Sequence, residues 1–174
     1  MNKKIRRIIK EFKVKDYSSF DEFYELTNRV VFYSIVPIVK SDDIAADIMQ
    51  DVYMRFLDSI DSFKTGGNVY AYLSMIGRNL SINYYNREKR LIHSEELLQT
   101  IPSDEGVVYE YDSDILDLLY LLNKDQRVVV ALHIINNLKF REIAEIVEKP
   151  LGTVLWLYRE AMKILRKELG EKDE

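Results

Sequence analysis

The strongest constraint on the fold is a helical spacing of apolar residues that continues through nearly the whole sequence. One segment shows it clearly, because Ile44, Ile48, Val52, Phe56 and Ile60 recur every four residues. This spacing places their side chains on one face of an α-helix, and that face must be buried. The 174 residues include only 6 glycines and 3 prolines, so few positions force a helix to end. The sequence therefore predicts an all-α fold.

The charge distribution divides the chain into parts. The stretch 91–117 contains no Lys or Arg, and its charged residues are all acidic. Such a stretch is typical of a solvated linker between domains. We therefore predict a basic N-terminal extension at 1–16, a small helical domain at 17–90, an acidic linker at 91–113 and a second small helical domain at 114–170.

The basic extension allows two interpretations. Ile5, Ile8, Ile9 and Phe12 fall on one helical face among many cations, which is the pattern of an amphipathic helix that binds a membrane surface or a nucleic acid. A frayed, solvated tail is the other interpretation. The segment lacks the continuous apolar run of a secretion signal.

The apolar runs are too short to cross a membrane. The longest, at 30–39, is broken by Ser34 and Pro37, whereas a spanning helix needs roughly 20 apolar residues. The chain has no cysteine, which is compatible with a reducing compartment. We therefore expect a cytoplasmic protein without a membrane span.

The segment 70–90 combines an apolar stripe with a basic and aromatic outer face. Leu73, Ile76, Leu80 and Tyr84 form the stripe at helical spacing. The outer face is rich in cations and amides and contains a single acidic residue. Cations neutralise phosphates, amides read base edges, and aromatic rings stack on unpaired bases. A core helix with a solvated basic face is the alternative interpretation.

A polar face also lies opposite the apolar stripe of the helix predicted at 41–60. It includes Asp47, Gln50, Asp51 and Arg55. Ordinary solvation is the default interpretation of such a face.

The second domain contains a helix-turn-helix pattern. A short helix at 140–147, a turn at 148–150 and a longer helix at 152–169 follow one another. Many helical hairpins share this pattern, so alone it is only moderately specific. We predict that the longer helix packs through Val154, Tyr158 and Ala161, and exposes Leu155, Trp156 and part of Leu157.

The composition argues against an enzyme. The chain has no cysteine and only two histidines, and no nucleophile motif, metal cluster or phosphate-binding loop is visible. We expect no catalytic residues, no metal and no cofactor. His133 lies in an apolar helix and is predicted to be packed.

Two stretches resemble one protein family, in the order in which that family has them. The first is DIMQDVYMRFLDSIDSF at 47–63, followed by YAYLSMIGRNLSINYYNREKR at 70–90. The second is LLNKDQRVVVALHIINNLKFREIAEIVEKPLGTV at 121–154. Through these motifs the chain resembles bacterial RNA polymerase sigma factors of the sigma-70 family, in the two-domain extracytoplasmic-function (ECF) group.

The resemblance implies a transcription initiation factor whose partners are core RNA polymerase and promoter DNA. An anti-sigma factor or an activator is a further candidate partner. The implied polymerase-binding residues are Asp47, Gln50, Asp51, Tyr53 and Arg55. The implied contacts to the downstream promoter element are Tyr72, Arg78, Asn79, Asn83, Arg87 and Arg90. The implied recognition-helix residues are Thr153, Leu155, Trp156, Arg159 and Lys163.

The second domain departs from the family pattern. Glu148 occupies the usual turn glycine position, where a left-handed backbone would cost about 1–2 kcal/mol, and Pro150 replaces the usual serine cap. Leu155 and Trp156 stand where polar or basic residues are usual, so the recognition helix is predicted to bind either DNA or a protein. The alternative function is a sigma-like DNA-binding or protein-binding regulator that does not itself support initiation.

Overall fold

The computed structural model describes residues 3–94 and 113–170, and every regular element in these ranges is helical, as predicted. The helices are α1 (Lys3–Lys13), α2 (Phe20–Val39), α3 (Asp42–Asp58), α4 (Val69–Ser94), α5 (Ser113–Tyr120), α6 (Lys124–Val130), α7 (Phe140–Val147) and α8 (Leu151–Glu168). A π-helical turn, Ala131–Ile135, continues α6. We refer to α1–α4 as the first unit and to α5–α8 as the second unit.

Helices α2, α3 and α4 form the centre of the first unit around an aromatic core. Phe23 stacks on Phe56 at 5.2 Å between ring centroids, and Phe23 meets Tyr53 edge to face at 6.2 Å. Helices α2 and α4 approach closely at Gly77, because a Cβ atom there would collide with the Ser34 hydroxyl. This crossing of α2 and α4 therefore requires a residue without a side chain at position 77.

Helix α1 is an integral part of the first unit. Ile5, Ile8, Ile9 and Phe12 are all completely buried, and Phe12 meets Phe23 edge to face at 5.3 Å. The interpretation of residues 1–16 as a frayed tail is therefore wrong for the described part of that segment. An amphipathic membrane helix is also ruled out for α1, because its apolar face is occupied by the core.

A reciprocal cap fixes the start of α6 in the second unit. Asn123 caps α6 by accepting a hydrogen bond from the Gln126 backbone N–H at 3.0 Å, and Gln126 Oε1 accepts one from the Asn123 N–H at 3.3 Å. His133 is packed, as predicted: it stacks on Phe140 at 4.0 Å and hydrogen-bonds the Leu138 carbonyl at 2.9 Å.

The short helix, turn and longer helix occur where the sequence predicts them. Glu148 ends α7 with a φ of 54°, so the residue at the usual glycine position is left-handed. Pro150 begins α8 without a side-chain cap. Both departures from the family pattern therefore leave the local fold unchanged, and Glu148 bears the conformational cost.

The two units pack directly against each other. Ile38 of α2 lies in a buried cluster with Val128, Val129 and Leu132 of the second unit. Arg127 is 4% exposed and donates from Nη1 to the Pro37 carbonyl oxygen at 2.9 Å. The units are therefore joined by a common buried core as well as by the chain segment that connects them.

Both ends of the linker predicted at 91–113 overlap helices, because α4 ends at Ser94 and α5 begins at Ser113. Helix α4 continues to Ser94, so residues 91–94 are helical and do not belong to a linker at 91–113. The rest of the predicted linker, up to residue 112, lies outside the described residues.

Candidate nucleic-acid and protein interfaces

Helix α3 presents the predicted polar face to solvent. Asp47, Gln50, Asp51 and Arg55 are all exposed, and Met54 lies among them. None of these side chains contributes to the core, so the fold leaves the face available for a partner.

Tyr53 does not belong to this face. It is 4% exposed, and its hydroxyl lies 3.0 Å from the Thr27 hydroxyl inside the first unit. The prediction that Tyr53 binds the polymerase is therefore wrong as a surface contact. The physical reason is its position beside Val52, on the inward side of α3.

A groove joins the polar face of α3 to the basic helix α4. It measures about 280 Å³, and it is lined by Ile48, Asp51, Arg55, Leu80, Asn83, Tyr84 and Arg87. Arg87 extends over the Tyr84 ring, with its guanidinium carbon 5.6 Å from the ring centroid. The sequence assigned Asp51 and Asn83 to different partners, but the structure places them in one groove.

Arg78 faces another direction. Its Nη2 donates to the Val147 carbonyl oxygen of α7 at 3.4 Å, and its Nη1 donates to Asn79 Oδ1 at 3.4 Å. Burial lowers the pKa of Arg78, while the carboxylates of Glu148 and Asp125 act in the opposite direction. Arg78 is therefore half-buried between the units, whereas Asn79, Asn83 and Arg87 are exposed.

Helix α4 thus has two distinct outer faces. Ala71, Met75 and Ile82 pack against the core of the second unit, on the side where Arg78 lies. Lys124 of α6 also lies over the Tyr85 ring, with its Nζ 3.9 Å from the centroid. The second unit therefore covers one side of the predicted DNA-binding helix and leaves the other side open.

Tyr72 supports the loop that precedes α4. Its hydroxyl donates to Ser59 Oγ at 3.1 Å, and its ring lies 5.2 Å from the Phe63 ring. Tyr72 is half-buried, so it can offer an edge to a ligand while it holds the loop. The side chain of Arg90 lies outside the described residues.

A cavity of about 530 Å³ separates the loop at 61–68 from α7. Asn68 caps α4, because its Oδ1 accepts from the Tyr70 N–H at 3.1 Å. The Asn68 Nδ2 donates to Glu142 Oε1 across the cavity at 2.6 Å. Sequence reasoning missed this pair. Asn68 is recognisable as a helix cap, but no local signal points to a partner 74 positions away.

Helix α8 exposes the predicted apolar patch. Trp156 is 56% exposed and Leu155 is 37% exposed, and Thr153, Arg159 and Lys163 are also at the surface. Lys163 pairs with Glu160 at 2.8 Å. Leu157 is buried, so the prediction that part of it faces outward is wrong.

The model named "Sigma-70 region 2" matches residues 23–91. The ECF RNA polymerase sigma factor SigW of Bacillus subtilis is 26% identical over 186 aligned positions, covering 98% of this chain and 100% of that protein. The ECF RNA polymerase sigma factor SigX of the same organism is 22% identical, covering 87% and 84% of the two chains.

A similar solved structure shows the same fold. The sigma factor RpoE from Bartonella quintana, crystallised with the anti-sigma factor NepR, superposes with a TM-score of 0.70 at 23% identity. The match covers 88% of this chain and 98% of that chain. The chain therefore contains a stretch that matches sigma-70 region 2 at residues 23–91, and it is similar over nearly its whole length to ECF RNA polymerase sigma factors of the sigma-70 family.

Proposed function

We propose that this protein binds core RNA polymerase through the polar face of α3 and directs it to promoters through the exposed face of α4. The observation that carries the proposal is the placement of these two faces side by side, within the stretch that matches sigma-70 region 2. The protein acts as a specificity factor in the cytoplasm, and the polymerase supplies the catalysis.

The polar face of α3 suits a protein partner. Asp47, Gln50 and Asp51 offer oxygen acceptors, Arg55 offers donors, and Met54 adds an adaptable apolar contact. Arginine is one of the residue types that are enriched in interface hot spots, which favours Arg55 as an anchor of this face. We assign this face to the polymerase.

The exposed face of α4 suits a separated DNA strand. Asn79 and Asn83 have amides that pair with base edges, and Arg87 provides a cation for phosphate. Tyr72 borders the loop and the adjoining cavity, which has room for an unstacked base. We assign the reading of the downstream promoter element to these residues.

Arg78 contacts promoter DNA only after a change in conformation. Its guanidinium lies against the Val147 carbonyl, and the Asn68–Glu142 hydrogen bond closes the neighbouring cavity. The second unit must therefore move away from α4 before Arg78 reaches DNA. The described arrangement represents a state in which promoter reading is incomplete.

The apolar patch of α8 is assigned to a protein partner. Leu151, Leu155 and Trp156 are exposed together at the start of the helix, and contiguous apolar surface usually marks an interface. An anti-sigma factor is the proposed occupant, because the similar RpoE structure contains one.

The experiment that tests the function is run-off transcription with core RNA polymerase and genomic DNA. We expect discrete transcripts that require the addition of this protein. Failure to bind core polymerase, with no transcript, would instead support the sigma-like DNA-binding or protein-binding regulator that does not itself support initiation.

A further inference from the structure

Helix α1 has two basic flanks that differ in their partners. On one flank, Lys4 pairs with Glu22 at 3.3 Å, and Arg7 pairs with Glu11 at 3.0 Å and also with Glu22. These cations neutralise acids of the first unit. Their presence in α1 is therefore explained by the fold.

The other flank of α1 carries Lys3, Arg6, Lys10 and Lys13. Their spacing of three or four residues places them along one side of the helix, with no acidic residue among them. Lys3, Arg6 and Lys10 are exposed, and no described residue forms an ion pair with them. We refer to these four residues as the cationic stripe.

The cationic stripe ends at the loop that borders the promoter-reading helix. Lys13 Nζ donates to the Asp61 backbone carbonyl at 3.2 Å, and Lys15 Nζ pairs with the Asp61 carboxylate at 2.9 Å. Lys64 is exposed a few residues further along that loop. The stripe is thus continuous with the surface that we assign to the promoter strand.

We propose that the cationic stripe binds the sugar–phosphate backbone of the promoter strand where it leaves the loop at 61–68. This inference rests on the proposed function. From Lys3 to Lys13 the helix rises about 15 Å, which is long enough to contact several consecutive phosphates of one strand. The contact is electrostatic and independent of base sequence, so it adds affinity to the base contacts of α4.

The burial of the apolar side of α1 argues against an anionic membrane surface as the ligand of the cationic stripe. A basic helix on an anionic membrane inserts apolar side chains between the lipids, but Ile5, Ile8 and Phe12 are completely buried in the core. An acidic protein surface remains as a competing occupant. The experiment below distinguishes it from DNA.

The test compares two double variants in the holoenzyme formed by the full chain and core polymerase. Arg6→Gln with Lys10→Gln removes two cations of the stripe, and Lys4→Gln with Arg7→Gln removes the same two residue types from the paired flank. The probe is a fluorescent forked fragment of a promoter found by run-off transcription. Affinity is measured between 50 and 300 mM salt.

We expect the stripe variant to bind the fork several-fold more weakly at low salt, with the slope of log affinity against log salt reduced by about 1.4. The paired-flank variant should keep the wild-type slope. Equal slopes in all three proteins, or equal losses in both variants, would overturn the proposal. A stripe variant that binds core polymerase less tightly, with unchanged fork binding, would assign the stripe to the polymerase.

Crosslinking gives a second measurement that does not depend on affinity. The chain has no cysteine, so Lys10→Cys and Lys4→Cys each introduce a single site for a photoreactive label. We expect the label at position 10 to crosslink to a promoter strand in the holoenzyme and the label at position 4 not to do so. Absence of a DNA crosslink from position 10, in a holoenzyme that binds the fork, would overturn the proposal. Failure of the wild-type holoenzyme to bind any promoter would instead contradict the proposed function.

Discussion

The buried guanidinium of Arg127 hydrogen-bonds the carbonyl oxygen of Pro37, and this contact links the second unit to the end of α2. The same guanidinium donates to the Leu119 carbonyl at 3.0 Å and to the Leu122 carbonyl at 2.9 Å. These carbonyls lie near the ends of α2 and α5, where the helix dipole favours a cation. Arg127 therefore serves as a cap for two helices that belong to different units.

Replacing Arg127 should destabilise the protein strongly. The variant Arg127→Gln removes the charged donor from the buried Pro37 and Leu122 carbonyls, whereas the Leu119 carbonyl keeps the Leu122 backbone N–H as a donor. We therefore expect the free energy of unfolding to fall by about 2 kcal/mol. Urea denaturation followed by circular dichroism measures this change. Arg141→Gln is the matched control, because Arg141 is exposed and its loss should cost less than about 0.5 kcal/mol. Equal stability of the two variants would contradict the capping role of Arg127.

Two glycines in helices should respond to alanine with opposite signs. At Gly77 the new methyl group would collide with Ser34 at the crossing of α2 and α4, so Gly77→Ala should cost about 1–3 kcal/mol. At Gly152 nothing lies within 4 Å of a new Cβ, so Gly152→Ala should stabilise α8 by roughly 0.5–1 kcal/mol. Thermal unfolding of both variants measures the difference. A stable Gly77→Ala variant would mean that the helices do not cross as closely as described.

The helices themselves were predictable because their signals are local. Ser41 caps α3 and Asn123 caps α6, and each cap precedes an apolar pattern of helical period. The resemblance to sigma factors then suggests which partner binds each exposed face, the polymerase for α3 and the promoter for α4. The positions of the helices could therefore be predicted from the sequence.

The contact between the units could not be predicted from the sequence. Arg127 and Pro37 are 90 positions apart. In the sequence, a buried arginine in a helix cannot be distinguished from an arginine that faces solvent. Helix α4 packs against neighbours on two sides. Besides its main apolar stripe, it buries Ala71, Met75 and Ile82 against the second unit, and the sequence does not separate these three residues from the solvent-exposed surface of the helix. Tyr53 was misassigned for a related reason, since a tyrosine next to a buried stripe can face either way.

Polymerase binding should depend on the polar face of α3. Replacing Gln50 and Asp51 together by alanine removes exposed side chains, so folding should be nearly unchanged. We expect affinity for core polymerase to fall by about 2 kcal/mol, or roughly 30-fold. A fluorescence titration of labelled protein with core polymerase measures this loss. Glu25→Ala, at an exposed position of α2, is the control, and unchanged affinity of the double variant would contradict the assignment of this face.

Promoter opening should depend on Asn79. Its amide is exposed on the open side of α4, where we place the separated strand. Asn79→Ala should therefore reduce the reactivity of unpaired thymines to permanganate, while binding of the holoenzyme to closed duplex changes little. Glu25→Ala, at an exposed position of α2 away from this face, is the control. Identical permanganate footprints for wild type and Asn79→Ala would show that Asn79 has no part in strand separation.

The patch on α8 should respond to a protein and not to duplex DNA. Trp156 is the only tryptophan in the chain, so its emission reports on this patch alone. Binding of an anti-sigma factor should bury the indole and shift its emission to shorter wavelength.

Upstream promoter duplex should leave the emission unchanged, because the stretch from Leu151 to Lys163 presents few cations for phosphate contacts. Trp156→Ala should accordingly weaken binding of the anti-sigma factor by at least tenfold, since exposed tryptophans are frequent hot spots, and should leave duplex affinity within about twofold. Glu168→Ala, at an exposed position at the other end of the same helix, is the control. Sequence-specific duplex binding by the full chain that Trp156→Ala abolishes would assign the patch to DNA, with Leu155 and Trp156 in contact with thymine methyl groups.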